Sequence, residues 1–318
     1  MTTMKNLTKT IGAILLCAMT CITACNNEEL YEKEKYKNVI YLLSGSENVY
    51  TESYSLNETE PVKYFSIGIG GSHPNPEAVT VELEPDRVLF DLYNKSNFDV
   101  KYTSYAKILP ADRYVIDSYT IQIPANPTDQ YVKVPVKVRP LGLSPDSIYF
   151  IPLSIRSVSK YEVNDEKYNM LYRITIQNDY AKQTPVTYYV KKGSVKDQTN
   201  NSETTLSGSK IVQPLTKDKV RMFAGNYSQS QTSTVYDIER YGITVQIKSD
   251  NSLDITSYGT MQIEMIPEVD YNRYAVILQG TKEQRCFFLH YRYRIMNDNG
   301  SYGNWMEVRE SLTRVEED

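Results

Sequence analysis

Short runs in which apolar residues alternate with other residues dominate the chain beyond residue 37, and they constrain its fold more than any other feature. In the run 131–138, Val132, Val134, Val136 and Val138 fall on one side of an extended chain. Pro, Gly, Asn and Asp clusters separate the runs, as expected for strands joined by turns. The aromatic residues, with 28 Tyr against 7 Phe and 1 Trp, also favour strands over helices.

Two series of such runs follow one another. The runs of the first series are 39–43, 62–69, 79–83, 119–123, 131–138, 149–155 and 171–176. We predict that residues 38–179 form an immunoglobulin-like antiparallel β-sandwich, because short alternating strands joined by frequent turns are typical of that fold. No window of a dozen residues in this part keeps a helical period, so only a turn is expected at 90–94.

A lapse in the alternation near 178–185 predicts a domain boundary. The runs of the second series are 186–190, 220–223, 243–247, 253–255, 261–266, 274–278, 286–295 and 305–312. We expect a long mobile loop at 193–210, which is rich in Ser, Thr and Asn, and hairpin turns at 248–252 and 297–300. Residues 180–318 are therefore predicted to form a C-terminal antiparallel barrel or sandwich, and both remain open.

The first 24 residues have the features of a secretory signal peptide. Lys5 and Lys9 lie at the start of an uncharged apolar stretch, 11–23, that is too short to span a membrane. Residues 22–25, Ile-Thr-Ala-Cys, resemble the lipobox of bacterial lipoproteins, in which cleavage precedes a diacylated Cys. We expect lipid on Cys25 to anchor the chain to the outer-membrane lipid, with residues 25–37 as a solvated tether. The alternative is an ordinary signal peptide with a fortuitous Cys.

Composition and motif searches argue against several function classes. The net charge of -4 argues against nucleic acid as a partner, and the 2 His make a His-based metal centre improbable. Zinc-protease, nucleophile-elbow and dinucleotide motifs are missing, so we expect no metal, no cofactor and no enzymatic activity. Cys286 is the only Cys beyond residue 25, and its apolar neighbours predict a buried thiol.

Five motifs, distributed over both halves of the chain, are Ile108–Tyr114, Tyr149–Ile155, Tyr172–Ile176, Phe288–Tyr293 and Trp305–Arg314. They are similar to motifs of a Bacteroidetes family of two-domain surface lipoproteins of unknown function. The resemblance implies an immunoglobulin-like domain, a C-terminal all-β domain, and binding of polysaccharide or oligosaccharide beside a SusC/SusD-type transporter. Residues 26–35 also resemble the acidic export signal of Bacteroidetes lipoproteins, which implies an outer-membrane location facing the cell exterior.

Aromatic residues near turns are the candidates for a glycan site, because sugar rings stack on aromatic rings while their hydroxyls bond to polar side chains. Trp305 lies beside Tyr302 and Asn304 in the last hairpin, and Tyr271 and Tyr258 lie in other turns. The structural alternative is that Trp305 caps the core and the Tyr residues form cross-strand pairs.

The run 289–294 is predicted to be a strand with Leu289, Tyr291 and Tyr293 on one face and His290 partly exposed on the other. Because chemistry-bearing motifs are missing, we predict a non-catalytic, surface glycan-binding lipoprotein that serves a polysaccharide uptake system. The alternative is a cell-surface adhesin or assembly protein that binds other proteins through exposed strand edges.

Overall fold

The computed structural model describes residues 37–71, 75–127, 129–230 and 233–315. The predicted signal peptide, Cys25 and the tether up to residue 36 lie outside these ranges. Within the ranges, no helix is long and apolar enough to cross a membrane. The described chain forms two domains in which β-strands are the main regular structure, as the sequence predicts.

The N-terminal domain is a sandwich of two sheets, which confirms the predicted architecture. Its strands are β1 (Val39–Leu42), β2 (Val49–Ser55), β3 (Val62–Gly70), β4 (Val79–Pro85), β5 (Lys107–Ile108), β6 (Tyr114–Val115), β7 (Thr120–Ile123), β8 (Tyr131–Val138), β9 (Tyr149–Val158), β10 (Glu162–Val163) and β11 (Asn169–Gln177). One sheet has the order β10-β1-β3-β8-β6, and the other has the order β2-β11-β9-β4-β7 with β5 beside β9. Most pairs are antiparallel, but β2, β5 and β10 each run parallel to their neighbour.

Alternate residues of both sheets meet in one core. Val134 and Val136 of β8 are buried there, as the alternation predicts. Two core tyrosines, Tyr54 and Tyr172, form a hydrogen bond with each other, with their hydroxyl oxygens 2.6 Å apart. Tyr54 also donates to the Val136 carbonyl at 3.2 Å, so neither phenol is buried without a partner.

The expectation that this domain contains no helix is wrong. Helix α1 spans Arg87–Phe98, and the Asp86 side chain caps it by accepting from the Leu89 amide at 3.1 Å. Phe90 and Asn94, four residues apart, are the buried residues of the helix. Asn94 is held by Ala106, whose amide donates to Asn94 Oδ1 at 2.8 Å. So narrow a buried stripe gives almost no periodic signal in the sequence.

The C-terminal domain is a nearly closed barrel, which decides between the two predicted folds. Its elements are β12 (Thr187–Asp197), β13 (Glu203–Leu206), β14 (Ser209–Thr216), β15 (Lys219–Phe223), α2 (Val235–Tyr241), β16 (Gly242–Ile247), β17 (Leu253–Ser257), β18 (Gln262–Met265), β19 (Arg273–Gln279), β20 (Lys282–Arg294) and β21 (Met306–Val315). The strand order is β17-β16-β15-β14-β12-β21-β20-β18, with β13 on β12 and β19 on β20. The end strands β17 and β18 share no ladder; the Ile255 amide of β17 instead lies 3.3 Å from Met265 Sδ of β18.

Residues 193–210 do not form the expected mobile loop. They contain the end of β12, all of β13 and the start of β14, and β13 pairs with β12 from Gly193 to Lys196. Polar strands of this kind are stabilised by their neighbours, since β12 also pairs with β21 over the same residues. The predicted turn at 248–252 is confirmed between β16 and β17, and the one at 297–300 is confirmed between β20 and β21.

The barrel interior combines aromatic packing with one buried ion pair. Leu289, Tyr291 and Tyr293 of β20 point inward and are buried, as predicted. Cys286, on the opposite face of the strand, is also buried, as predicted. Among these rings, Lys210 Nζ lies 2.7 Å from both carboxylate oxygens of Glu310, and the two side chains are 2% and 0% exposed. Burial lowers the pKa of Lys210, whereas the Glu310 carboxylate opposes that shift. Tyr291 completes the pair by donating to Glu310 at 3.2 Å.

A second ion pair, between the buried Arg221 and the partly exposed Asp146, joins the two domains. Arg221 of β15 is 0% exposed, and its two terminal nitrogens donate to the Asp146 carboxylate of the N-terminal domain at 2.6 and 2.5 Å. Gln183 adds donor bonds to the carbonyls of Pro145 and Ser147 at 2.9 and 3.1 Å. A guanidinium that water cannot reach needs its carboxylate partner to compensate its charge. This contact therefore stabilises the association of the two domains.

We expect Asp146→Ala to destabilise the protein by about 3 kcal/mol, because it leaves the Arg221 charge buried without a partner. Asp117→Ala is the matched control, since Asp117 pairs with Lys137 at 3.1 Å on the surface. Its cost should be no more than about 1 kcal/mol. Calorimetric unfolding of both variants measures the difference, and equal small losses would show that the interdomain pair contributes little.

Candidate glycan-binding site

The outward face of β20 carries a continuous row of polar and aromatic side chains. Phe288, His290, Arg292 and Arg294 alternate with the inward residues of the strand, so all four point away from the barrel. Trp305, directly before β21, lies over the end of this row. We call this surface the aromatic–arginine band. It consists of Tyr271, Phe288, His290, Arg292, Arg294, Tyr302, Trp305 and Arg309.

Trp305 is a half-buried ring supported by two guanidinium groups. The central carbons of Arg292 and Arg294 each lie 4.7 Å from the centre of the Trp305 ring. Both arginines are fixed in turn: Arg292 donates to Glu264 at 2.9 and 2.5 Å, and Arg294 donates to Gln262 at 2.6 Å. The ring therefore does not cap the barrel core, and its position is set by cation–π contacts on the surface.

The neighbours of Trp305 in the last hairpin lie around it. Tyr302 contacts Arg294, whose guanidinium carbon is 5.0 Å from the ring centre. Asn304 is exposed, and its amide donates to Asp197 at 3.0 Å. Asn304 also borders a pocket of about 230 Å³ at the mouth of the barrel. The structure thus brings three of the predicted candidates together at one end of β20.

Tyr271 lies farther along the band. Its ring makes edge-to-face contacts with Phe288 and His290 at centroid distances of 6.2 and 5.9 Å. The guanidinium carbon of Arg309 lies 4.7 Å from the centre of the Tyr271 ring. Tyr271 is therefore packed into the band by its neighbours.

Tyr258 lies elsewhere. Its ring is 4.9 Å from the guanidinium carbon of Arg221 and borders the cleft between the two domains. Tyr258 is therefore not part of the aromatic–arginine band.

His290 is buried, so the expectation of a partly exposed strand residue is wrong. Its Nε2 lies 2.9 Å from Glu307, and its Nδ1 lies 2.7 Å from Glu268. The His290 ring and the Gln198 amide lower the pKa of Glu307, so that carboxylate stays charged. Gln198 also accepts from Arg292 at 3.4 Å, which links the histidine to the support of Trp305.

Sequence reasoning missed the arginines. Arg292 and Arg294 are two residues apart in a strand, so alternation alone places them on one face with His290. Arg309 of β21 joins them because it is paired with His290 in the β20–β21 ladder. Within the described ranges, no group of three or more His, Cys, Asp or Glu side chains is arranged to hold a metal ion.

Comparison with known proteins identifies the family. A family model for an N-terminal domain matches residues 35–162, and one for the accompanying C-terminal domain matches residues 168–313. The chain belongs to this two-domain family. No curated protein matches the chain.

Solved structures from Bacteroides share the fold of this two-domain family. A protein of unknown function from Bacteroides ovatus has a TM-score of 0.69 at 16% identity, over 87% of this chain and 94% of that chain. A multidomain protein including DUF1735, also from B. ovatus, has a TM-score of 0.64 at 16% identity, with coverage of 87% and 94%. An auxiliary nutrient binding protein from Bacteroides thetaiotaomicron has a TM-score of 0.61 at 15% identity, with coverage of 86% and 92%.

Replacing Trp305 distinguishes a surface ring from a core ring. We expect Trp305→Ala to lower the free energy of unfolding by about 1 kcal/mol, because it removes cation–π contacts at a half-exposed position. Phe287→Ala, in the barrel core, should cost roughly 3–5 kcal/mol and serves as the reference. Denaturant unfolding measures both, and a loss for Trp305→Ala as large as that for Phe287→Ala would place the ring in the core.

Proposed function

We propose that this protein is a non-catalytic carbohydrate-binding lipoprotein. In this proposal it is anchored through Cys25 in the outer membrane, faces the cell exterior and serves a polysaccharide uptake system with a SusC/SusD-type transporter. The observation that carries the proposal is the Trp305 platform, a partly exposed ring in contact with the guanidinium groups of Arg292 and Arg294.

The platform has the two properties that a sugar ring requires. Its aromatic face offers a partner for the apolar C–H face of a pyranose. Around it, Gln198, Gln262 and Glu264 provide amide and carboxylate groups that can bond to hydroxyls. Because the two arginines are held by Glu264 and Gln262, the ring is positioned before a ligand arrives, which lowers the entropy cost of binding.

The fold is compatible with this role. The structural neighbour described as an auxiliary nutrient binding protein has the same two-domain arrangement. At 15% identity the similarity extends to the fold and not to individual side chains, so the argument for this chain rests on its own band.

Removing the platform ring should weaken glycan binding. We expect Trp305→Ala to reduce affinity for the recognised polysaccharide by about tenfold or more, by analogy with the loss of one base–aromatic stack. Affinity electrophoresis of the chain from residue 26, run in gels containing polysaccharides chosen from a glycan array, measures the change. Trp305→Phe keeps a ring and should recover part of the affinity.

Tyr64→Ala is the control for that measurement, because Tyr64 is an exposed aromatic residue of the N-terminal domain, 45% exposed and away from the band. Its retardation in the gel should match that of the unchanged protein. Unchanged affinity for Trp305→Ala, with unchanged stability, would overturn the proposed site. Release of products from any glycan would overturn the non-catalytic assignment.

The proposed anchor has its own test. Cys25→Ser should leave the fold intact and shift the protein from the membrane fraction to the soluble fraction, because acyl chains would supply the anchoring energy. Fractionation of cells after a salt wash, with the unchanged protein as control, measures the distribution. A variant that stays with the membrane would contradict lipidation at Cys25.

A protein-binding role is the second candidate, and one observation favours it. Strand β19 pairs with β20 on one side, and Val276, Ile277 and Leu278 near its end are 49%, 42% and 70% exposed. Exposed strands of this kind accept a strand from another protein. An array with no bound glycan, together with loss of a defined protein partner in Ile277→Lys, would favour this role over carbohydrate binding.

A further inference from the structure

The mouth of the barrel contains a pocket that the Trp305 platform does not use. It has a volume of about 230 Å³ and lies between the β20–β21 loop, helix α2 and the segment after β15. Sites for drug-sized ligands usually measure roughly 300–1,000 Å³, so this pocket suits a single ring rather than a chain.

Stacked aromatic rings form one wall of this mouth pocket. Tyr227 and Tyr241 lie parallel, with centroids 4.1 Å apart and an interplanar angle of 17°. Tyr293 packs edge-on against Tyr227 at 6.3 Å. Tyr227 is itself 36% exposed although two rings support it, so part of its ring remains available to a ligand.

Polar side chains form the opposite part of the pocket. Asn297 and Asn304 border it, and each uses its amide nitrogen in a bond to the protein, at 3.1 Å to Ser301 and 3.0 Å to Asp197. These bonds leave both amide oxygens as acceptors for hydroxyl groups. Arg240 also lines the pocket, and its Nε is buried with no hydrogen-bond partner among the described residues.

The charge of the pocket favours a neutral ligand. Arg240 donates to Asp298 at 2.8 Å, so the one guanidinium of the lining is already paired with a carboxylate. An anionic ligand would have to compete with Asp298, whereas a neutral sugar can bond to the pair through its hydroxyls.

We infer that the mouth pocket is a second carbohydrate site, which holds one neutral pyranose ring against Tyr227 and is separate from the Trp305 platform. This inference rests on the proposed carbohydrate-binding function. Asn304 and Trp305 are consecutive in the chain, with Asn304 at the pocket and Trp305 on the outer face. One glycan can therefore occupy both sites if it passes over the β20–β21 loop.

Titration with free monosaccharides tests the pocket alone. The probes are glucose, galactose, mannose, xylose, N-acetylglucosamine and glucuronic acid, and binding is followed by ligand-observed NMR. We expect millimolar binding of at least one neutral sugar, weakened about tenfold in Tyr227→Ala and in Asn304→Ala. Tyr64→Ala should bind like the unchanged protein, and Tyr227→Phe should keep most of the affinity because it retains the stacked ring.

The outcomes separate the pocket from the platform. Absence of monosaccharide binding, alongside Trp305-dependent polysaccharide binding, would overturn the pocket and leave the proposed function standing. Monosaccharide binding that survives in Tyr227→Ala and in Asn304→Ala would also overturn the pocket. Loss of binding in these variants supports the pocket when they unfold at the temperature of the unchanged protein. Preference for glucuronic acid would overturn the assignment of a neutral ligand. Failure of both polysaccharide and monosaccharide binding would remove the two proposals together.

Discussion

One face of strand β20 packs in the core of the barrel, and the other face carries residues of the aromatic–arginine band. Its 13 residues pair with β21 on one side and with β18 and β19 on the other, so three neighbours fix its register. A shift of one residue would put Leu289 and Tyr291 into water and His290 and Arg292 into the barrel. The burial of the inner face therefore determines where the outer side chains lie, and the surface site depends on the core.

The sequence predicted most strands and their inward faces, because alternation is a local property that each strand carries by itself. It failed where structure depends on distant partners. Helix α1 has one narrow buried stripe, and Phe90 belongs to a small cluster with Phe150, which is far away in the chain. Residues 193–210 contain few apolar side chains, and their strands exist because β12 lies against β21 from the other end of the domain.

The candidate site shows the same division. Tyr302, Asn304 and Trp305 could be grouped from the sequence because they occupy one hairpin. The ion pair that holds Arg292 against Trp305 could not be predicted in this way, because Glu264 of β18 reaches Arg292 only through the pairing of β18 with β20. The burial of His290 depends likewise on Glu268 and Glu307, which come from separate segments. Tyr258 was grouped with the other aromatic residues, but the pairing of β15, β16 and β17 places it beside Arg221, at the cleft between the two domains.

The incomplete closure of the barrel has a consequence for behaviour in solution. Where β17 and β18 meet without a ladder, each strand keeps an edge whose backbone groups are a template for pairing with another molecule. Asp254 of β17 and Glu264 of β18 are both exposed at these edges. Charged side chains on edge strands disfavour pairing with another chain, so Asp254 and the carboxylate that also orients Arg292 protect the seam against aggregation.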